Sequence, residues 1–176
     1  MNADPRNRKP SFDKVALAEL PVLYRVARRM TKNDSDAEDL VSQTLLSAAR
    51  AWDGFDGQYP RSWLIRILKN AHLAVIRSRA SMPERAAFEE TEFVDDGSWE
   101  EVNWRMIGGE ILRVLDTLPT EYRLAVALCD VEEMSYQEAA DIMEVPVGTV
   151  RSRLFRGRRM IRLKLPAFAA EFGSAA

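Results

Sequence analysis

The C-terminal third contains the stretch that decides the fold, SYQEAADIMEVPVGTVRSRLFRGRRMI, residues 135–161. Ser135 is followed three residues later by Glu138, and this capping box predicts that a helix begins there. A short break ends that helix at Pro146, and because proline suits the start of a helix, a second helix is predicted from Val147. Two short helices joined by such a turn predict a helix-turn-helix, whose second helix lies in the major groove of DNA.

The predicted second helix divides into an apolar side and a polar side. Val147, Val150, Leu154 and Ile161 recur at helical spacing and predict the buried side. Arginine can form two hydrogen bonds with guanine, serine and threonine can bond bases or phosphates, and phenylalanine can contact a thymine methyl group. The residues of this helix that carry such chemistry are candidates for DNA contact: Thr149, Arg151, Ser152, Arg153, Phe155, Arg156 and Arg159.

The net charge of −2 is distributed unevenly along the chain. Residues 151–164 carry seven basic residues and no acid, whereas residues 81–110 carry nine acids and two basic residues. A phosphate backbone responds to the local potential of a protein and not to its total charge. A solvated basic helix is the alternative for such a charge run, and the capped helix and turn that precede it favour DNA binding.

The composition excludes several classes of protein. The one cysteine, Cys129, cannot form an internal disulfide, and the one histidine, His72, leaves no His/Cys cluster for a metal. No apolar run approaches the roughly 18 residues of a transmembrane helix, and the N-terminus lacks the apolar stretch of a secretory signal. No nucleophile–base pair or glycine-rich phosphate loop is present. We therefore expect a cytoplasmic protein without metal, cofactor, enzymatic activity or membrane insertion.

Helical spacing of apolar residues extends along most of the remaining chain. The further helices are predicted at Val15–Met30, Ala37–Trp52, Ser62–Arg79, Val102–Leu118 and Thr120–Val131. The apolar positions that define the first and third are Leu17, Leu20, Leu23, Tyr24, Ala27, Leu64, Ile65, Leu68 and Ile76. The predicted fold class is all-α, with two small helical domains at residues 12–80 and 109–166 joined by an acidic linker at residues 81–108.

Two segments of the second domain resemble a known family. PVGTVRSRLFRGR, residues 146–158, resembles the recognition helix of region 4 in the extracytoplasmic-function (ECF) sigma factors, which reads the −35 promoter element. LDTLPTEYRLAVAL, residues 115–128, is similar to the opening of that region. The resemblance implies that Arg151, Ser152, Phe155 and Arg156 contact −35 DNA.

The segment DAEDLVSQTLLSAARAW, residues 36–52, resembles region 2.2, the helix by which sigma factors dock on the coiled coil of the polymerase β′ subunit. Carboxylates in a first helical turn also stabilise any helix through its dipole, which is the alternative interpretation of this cluster. The resemblance implies a docking set of Asp36, Glu38, Asp39, Ser42 and Gln43.

The segment RSWLIRILKNAHLAVIRSR, residues 61–79, resembles regions 2.3 and 2.4, which melt and read the −10 element. Opening a duplex requires rings that stack on bases and cations that hold the displaced strand. The candidates for −10 contact are Tyr59, Arg61, Trp63, Arg66, Lys69, Asn70 and Arg77. Trp63 has a core position as its alternative, and the turn at residues 53–62 is shorter than the usual loop of the family.

Taken together, the resemblance implies an ECF sigma factor that directs core RNA polymerase to promoters. It implies as partners the β′ coiled coil and β flap of the polymerase, promoter DNA and an anti-sigma factor. Two alternatives stay open: a sigma-like mimic that sequesters an anti-sigma factor, and a plain helix-turn-helix regulator. The arginines of the recognition helix favour promoter binding over the mimic, and the segments at residues 36–52 and 61–79 have no purpose in a plain regulator.

Overall fold

The computed structural model describes residues 10–79 and 108–165, and the chain divides into two compact units, Met1–Ser81 and Met82–Ala176. Within the described ranges all regular secondary structure is helical, which confirms the predicted all-α class. The predicted acidic linker lies outside the described residues except for Gly108, where a helix begins.

Residues 10–79 of the N-terminal unit contain three α-helices, each of which packs on the other two: α1 (Phe12–Thr31), α2 (Asp34–Ala51) and α3 (Pro60–Arg79). A single 3₁₀ turn, Trp52–Gly54, follows α2. Aliphatic side chains from all three helices, including Leu23, Leu40 and Leu64, fill the space between them.

Burial on α1 follows one stripe of the helix. Leu23 and Ala27 are buried, whereas Leu17 is 71% exposed and Leu20 is 37% exposed, so the apolar residues that predict this helix do not all lie on its buried side. The buried stripe of α1 runs instead through positions such as Val15, Ala16, Val22 and Val26. The leucine spacing fits more than one stripe of a helix, and contact with α2 and α3 selects the one that enters the core.

Ile76, one of the apolar positions that define the predicted third helix, is 42% exposed and lies outside the core. From Asn70 to Ser78 every residue of α3 is exposed or half-buried. The second half of α3 therefore presents most of its surface outward, which leaves it available for contacts outside the unit.

The described part of the C-terminal unit, residues 108–165, contains four α-helices: α4 (Gly108–Asp116), α5 (Thr120–Val126), α6 (Tyr136–Met143) and α7 (Val147–Lys164). The predicted helix Thr120–Val131 is α-helical only to Val126 and then continues as a π-helical turn, Ala127–Val131. Arg123 of α5 is 2% exposed and donates hydrogen bonds to the carbonyl oxygens of Asp116 and Leu118, at 3.1 and 3.0 Å. These bonds satisfy carbonyl groups at the end of α4 and close its turn into α5.

Gly157 allows α7 to pack closely on α5. A Cβ atom at this position would lie 2.8 Å from Cγ2 of Val126 and 3.3 Å from the carbonyl oxygen of Tyr122. Val126 is fully buried and cannot move into free space. The short approach of the two helices therefore depends on the absence of a side chain at residue 157.

Replacing Gly157 with alanine is expected to destabilise the protein by about 1–3 kcal/mol, the usual cost of overpacking a core. The matched control is Gly148→Ala, because Gly148 lies on the same helix and a Cβ there would meet nothing within 4 Å. Alanine is the better helix former by up to about 1 kcal/mol, so the control variant should be equally or more stable. Urea unfolding measures both, and equal free energies of unfolding for the two variants would contradict the close-packing account.

Candidate nucleic-acid interface

The helix-turn-helix is formed by α6 and α7. The backbone N–H of Glu138 donates to Oγ of Ser135 at 3.2 Å, and the Glu138 carboxylate accepts from the backbone N–H of Ser135 at 2.9 Å, so the predicted capping box is present. α6 ends at Glu144, which adopts the left-handed conformation with φ of 57° and donates its N–H to the carbonyl oxygen of Ala140. Pro146 then immediately precedes α7.

The buried side of α7 consists of Val150, Leu154, Gly157 and Ile161. Val147, predicted to face the core, is half-buried in the first turn. The candidate DNA-contacting residues all have exposed or half-buried side chains: Thr149, Arg151, Ser152, Arg153, Phe155, Arg156 and Arg159. The structure therefore brings this predicted set together on the solvent-accessible part of one helix.

Arg158 differs from its arginine neighbours on α7. Its Nε and Nη2 atoms donate to the two carboxylate oxygens of Asp130 at 3.0 and 2.7 Å, and its side chain is only 15% exposed. Burial lowers the pKa of Arg158, but the hydrogen bonds and negative charge of Asp130 act in the opposite direction, and the net effect raises that pKa. Arg158 is therefore part of the packing within the unit. The sequence of the basic run does not by itself distinguish Arg158 from the exposed arginines.

A second candidate surface lies on α3. Trp63, Arg66, Asn70 and Arg77 follow one another at spacings of three, four and seven residues, which places them on one side of a helix with about 3.6 residues per turn. Arg66, Asn70 and Arg77 are exposed. Trp63 is half-buried, with its ring stacked on that of Phe55 at 4.5 Å between centroids.

Lys69 and Arg61 do not lie with these residues. Lys69 is 5% exposed, because it follows the buried Ile65 by one helical turn, and it does not match the expectation of a cation on the DNA-facing side. Nε of Arg61 donates to Oε2 of Glu19 at 2.7 Å, which links α3 to α1. Lys69 and Arg61, two of the cations predicted to contact DNA, therefore take part in packing within the unit.

Tyr59 precedes α3 and is the most exposed ring among the candidates. It is 70% exposed, and its backbone adopts a φ of 49°, a left-handed conformation that is uncommon for a bulky residue. Such strain is found preferentially where the side chain is used for binding.

The docking candidates on α2 divide into two groups. Asp36 is half-buried and exchanges hydrogen bonds with Asn33, whose Oδ1 accepts from the Asp36 backbone N–H and whose Nδ2 donates to the Asp36 carboxylate, both at 2.7 Å. Asp36 therefore takes part in the capping of α2 by Asn33. The other candidates have exposed side chains: Glu38, Asp39, Ser42 and Gln43.

Leu46 of α2 is absent from the predicted docking set, although it lies beside the docking candidates. It is 62% exposed and follows Asp39 by seven residues, so that it lies on the same side of α2 as Asp39, Ser42 and Gln43. The sequence contains a signal for this position, because Leu46 is an apolar residue on the side of α2 opposite to the buried stripe that includes Thr44.

A groove of about 500 Å³ separates the outer edges of α2 and α3. Its walls include Gln43 and Ser47 of α2 and Ile67, Asn70 and Ala74 of α3. Because Gln43 belongs to the docking candidates and Asn70 to the α3 candidates, the two candidate surfaces adjoin in this unit.

Three further features concern the part of the chain that the structure describes. No group of three or more metal-ligating side chains occurs there, and no helix among those residues is long and apolar enough to span a membrane. Cys129 is half-buried, and burial is the main cause that raises the pKa of its thiol to about 12. The thiol is therefore protonated at neutral pH.

One unit contains a helix-turn-helix with a basic second helix, and the other contains a second basic helix surface. Together these two surfaces define a two-part DNA-binding protein. Residues 16–82 match the family described as Sigma-70 region 2, and residues 108–161 match Sigma-70, region 4.

Three relatives are similar over most of the chain. The ECF RNA polymerase sigma factor SigE of Mycolicibacterium smegmatis is 34% identical over 95% of this chain, and the matched part is 66% of its own length. The ECF RNA polymerase sigma-E factor of Escherichia coli is 33% identical over 74% of each chain. The sigma factor RpoE of Bartonella quintana, solved in complex with the anti-sigma factor NepR, is 28% identical with a TM-score of 0.68, covering 88% of this chain and 98% of its own.

The chain therefore belongs to the ECF sigma factors of the sigma-70 family. This assignment confirms the resemblance found in the sequence.

The left-handed Glu144 gives a test of the turn geometry. Glycine adopts this conformation without the penalty of roughly 1 kcal/mol that a side chain incurs, so Glu144→Gly is expected to raise the free energy of unfolding by about that amount. Glu144→Val is the control and should lower it, because a β-branched residue is strained at this φ. Thermal unfolding measures both, and a more stable valine variant would contradict the turn assignment.

Proposed function

We propose that this chain binds core RNA polymerase through α2, holds promoter DNA through α3 and α7, and thereby starts transcription at particular promoters. The chain catalyses no reaction in this proposal, because bond formation belongs to the polymerase, and it acts in the cytoplasm, where polymerase and DNA are found. The observation that carries the proposal is the presence of a basic recognition helix in one unit and of adjoining acidic–polar and basic helix surfaces in the other.

In the proposed complex α7 contacts the −35 element. The N-terminal part of a recognition helix contacts base edges, which assigns base contacts to Arg151, Ser152, Phe155 and Arg156. Thr149, Arg153 and Arg159 supply further base or phosphate contacts. The unit that carries α7 also contacts the β flap of the polymerase.

The −10 element is assigned to α3 and the turn before it. Arg66, Asn70 and Arg77 share one exposed side of α3, and Tyr59 offers a ring that can stack on a base. Trp63 supports this surface from its aromatic cluster, and Arg61 supports it through its ion pair with α1. Lys69 is left out of the DNA-contacting set because its side chain is buried.

Docking on the β′ coiled coil is assigned to Glu38, Asp39, Ser42 and Gln43. Leu46 adds an apolar side chain to the same side of α2, and exposed apolar anchors surrounded by polar groups are typical of protein–protein contacts.

An anti-sigma factor is the proposed regulator. The B. quintana sigma factor bound to NepR has the same two-unit fold at 28% identity, which supports an inhibitory partner of that type for this chain. The mimic alternative predicts that the chain binds such a partner and never a promoter.

Run-off transcription with purified core polymerase, this chain and a promoter library distinguishes these functions. We expect transcripts from a limited set of promoters that share −35 and −10 sequences. Binding to an anti-sigma factor without any transcript would favour the mimic, and promoter binding without binding to core polymerase would favour a plain regulator.

Arg156→Ala is expected to weaken −35-dependent transcription by about 5- to 150-fold, because a base contact of an arginine contributes roughly 1–3 kcal/mol, and to leave the affinity for core polymerase unchanged. Lys164→Ala is the matched control, since Lys164 lies at the end of the same helix and its Nζ donates to Thr117 at 2.7 Å. Quantitative run-off assays and core-binding titrations measure the two activities. Equal loss of both in Arg156→Ala would contradict the separation of DNA contact from docking.

Leu46→Ser is expected to reduce the affinity for core polymerase about tenfold or more, as the loss of an apolar interface anchor usually does, without loss of folding stability. The control is Leu17→Ser, which removes a leucine that is 71% exposed on α1. Fluorescence titration of labelled protein with core polymerase measures the affinities. Indistinguishable affinities of the two serine variants would remove Leu46 from the docking surface.

A further inference from the structure

The buried ion pair of Arg158 and Asp130 fixes α7 to the π-helical turn that precedes α6. The two hydrogen bonds are 3.0 and 2.7 Å long, and the side chains are 15% and 6% exposed. A pair with two parallel hydrogen bonds defines the plane of the guanidinium group as well as its position. The guanidinium group of Arg158 is therefore held in one position on α7.

Tyr136, the first residue of α6, lies near both Arg158 and Arg151. The Tyr136 phenol is near enough to Arg158 to help raise the pKa of that guanidinium group. The guanidinium carbon of Arg151 lies 5.7 Å from the centroid of the Tyr136 ring, within the range of a cation–π contact. Arg151 and Arg158 are seven residues apart, about two helical turns, and so lie on the same side of α7.

This arrangement bears on how an exposed arginine reads DNA. Arg151 is exposed in the first turns of α7, and a free arginine at such a position samples many rotamers. Ordering a side chain opposes binding, and a guanidinium group that already lies over a ring has lost part of that freedom before DNA arrives. A restricted arginine also accommodates a wrong base less readily than a mobile one does.

We propose that Tyr136 is a positioning residue for promoter specificity: its ring holds the Arg151 guanidinium group in place. The inference rests on the proposed function, in which α7 reads the −35 element. Tyr136 acts through Arg151 and needs no DNA contact of its own.

The test is a double-mutant cycle in reconstituted holoenzyme. Run-off transcription is measured on a promoter that the wild-type holoenzyme selects and on the same promoter with single-base changes in its −35 element. The ratio of the two rates is the discrimination ratio. Tyr136→Leu, which removes the ring, is expected to lower that ratio about two- to fivefold, the range of an exposed cation–π contact. In an Arg151→Ala background the same change should lower the ratio no further.

Tyr136→Phe is the conservative variant, because it keeps the ring and loses only the hydroxyl, and its discrimination ratio should stay within about twofold of wild type. A second measurement does not depend on the folding of the leucine variant. NMR should show the Arg151 side-chain protons shifted upfield by the ring in wild type and in Tyr136→Phe.

The outcomes separate this inference from the function on which it rests. Equal loss of discrimination by Tyr136→Leu with and without Arg151 would indicate a general structural role and overturn the proposal. Unshifted Arg151 protons in the wild-type protein, or full discrimination by a folded Tyr136→Leu variant, would overturn it as well. A wild-type holoenzyme that transcribes no promoter would overturn the proposed function together with this inference.

Discussion

The contact of α7 with α5 at Gly157 is the constraint on which the DNA-binding unit depends. A side chain at residue 157 would collide with Val126, so the two helix backbones approach each other only because none is present. This approach buries Val150, Leu154 and Ile161 together, and it thereby determines which side of α7 remains outside. Packing of the apolar side fixes the orientation of α7. The basic residues on its opposite side therefore face outward, where DNA can bind.

Arginine serves several physical roles in this chain, and its neighbours decide between them. Arg158 is buried against Asp130, Arg123 satisfies the carbonyl groups at the end of α4, and Arg61 links two helices through Glu19. Arg66 and Arg159 instead present exposed charge. A long side chain with a planar head of five donors suits all of these roles, and so the count of basic residues overstates the charge available to DNA.

The N-terminal unit joins two surfaces of opposite character along one groove. The α2 side offers Asp39 and Gln43, whereas the α3 side offers Asn70 between exposed arginines. In the proposed function, docking on a polymerase and contact with DNA therefore involve adjoining helices of the same unit. In the proposed function, this adjacency is what places the melted strand close to the enzyme that copies it.

The sequence by itself determined the all-α class, the helix-turn-helix and the family, because each rests on local signals. Capping by Ser135 and Glu138, a proline before α7 and the spacing of Val150, Leu154 and Ile161 act within a few residues of one another. Only the tertiary structure decided which of several similar residues faces solvent. Leu17 and Lys69 fit their predicted patterns as well as their neighbours do, yet one is exposed and the other buried. Burial depends on helices that are distant in sequence, and a local pattern carries no information about where those helices pack.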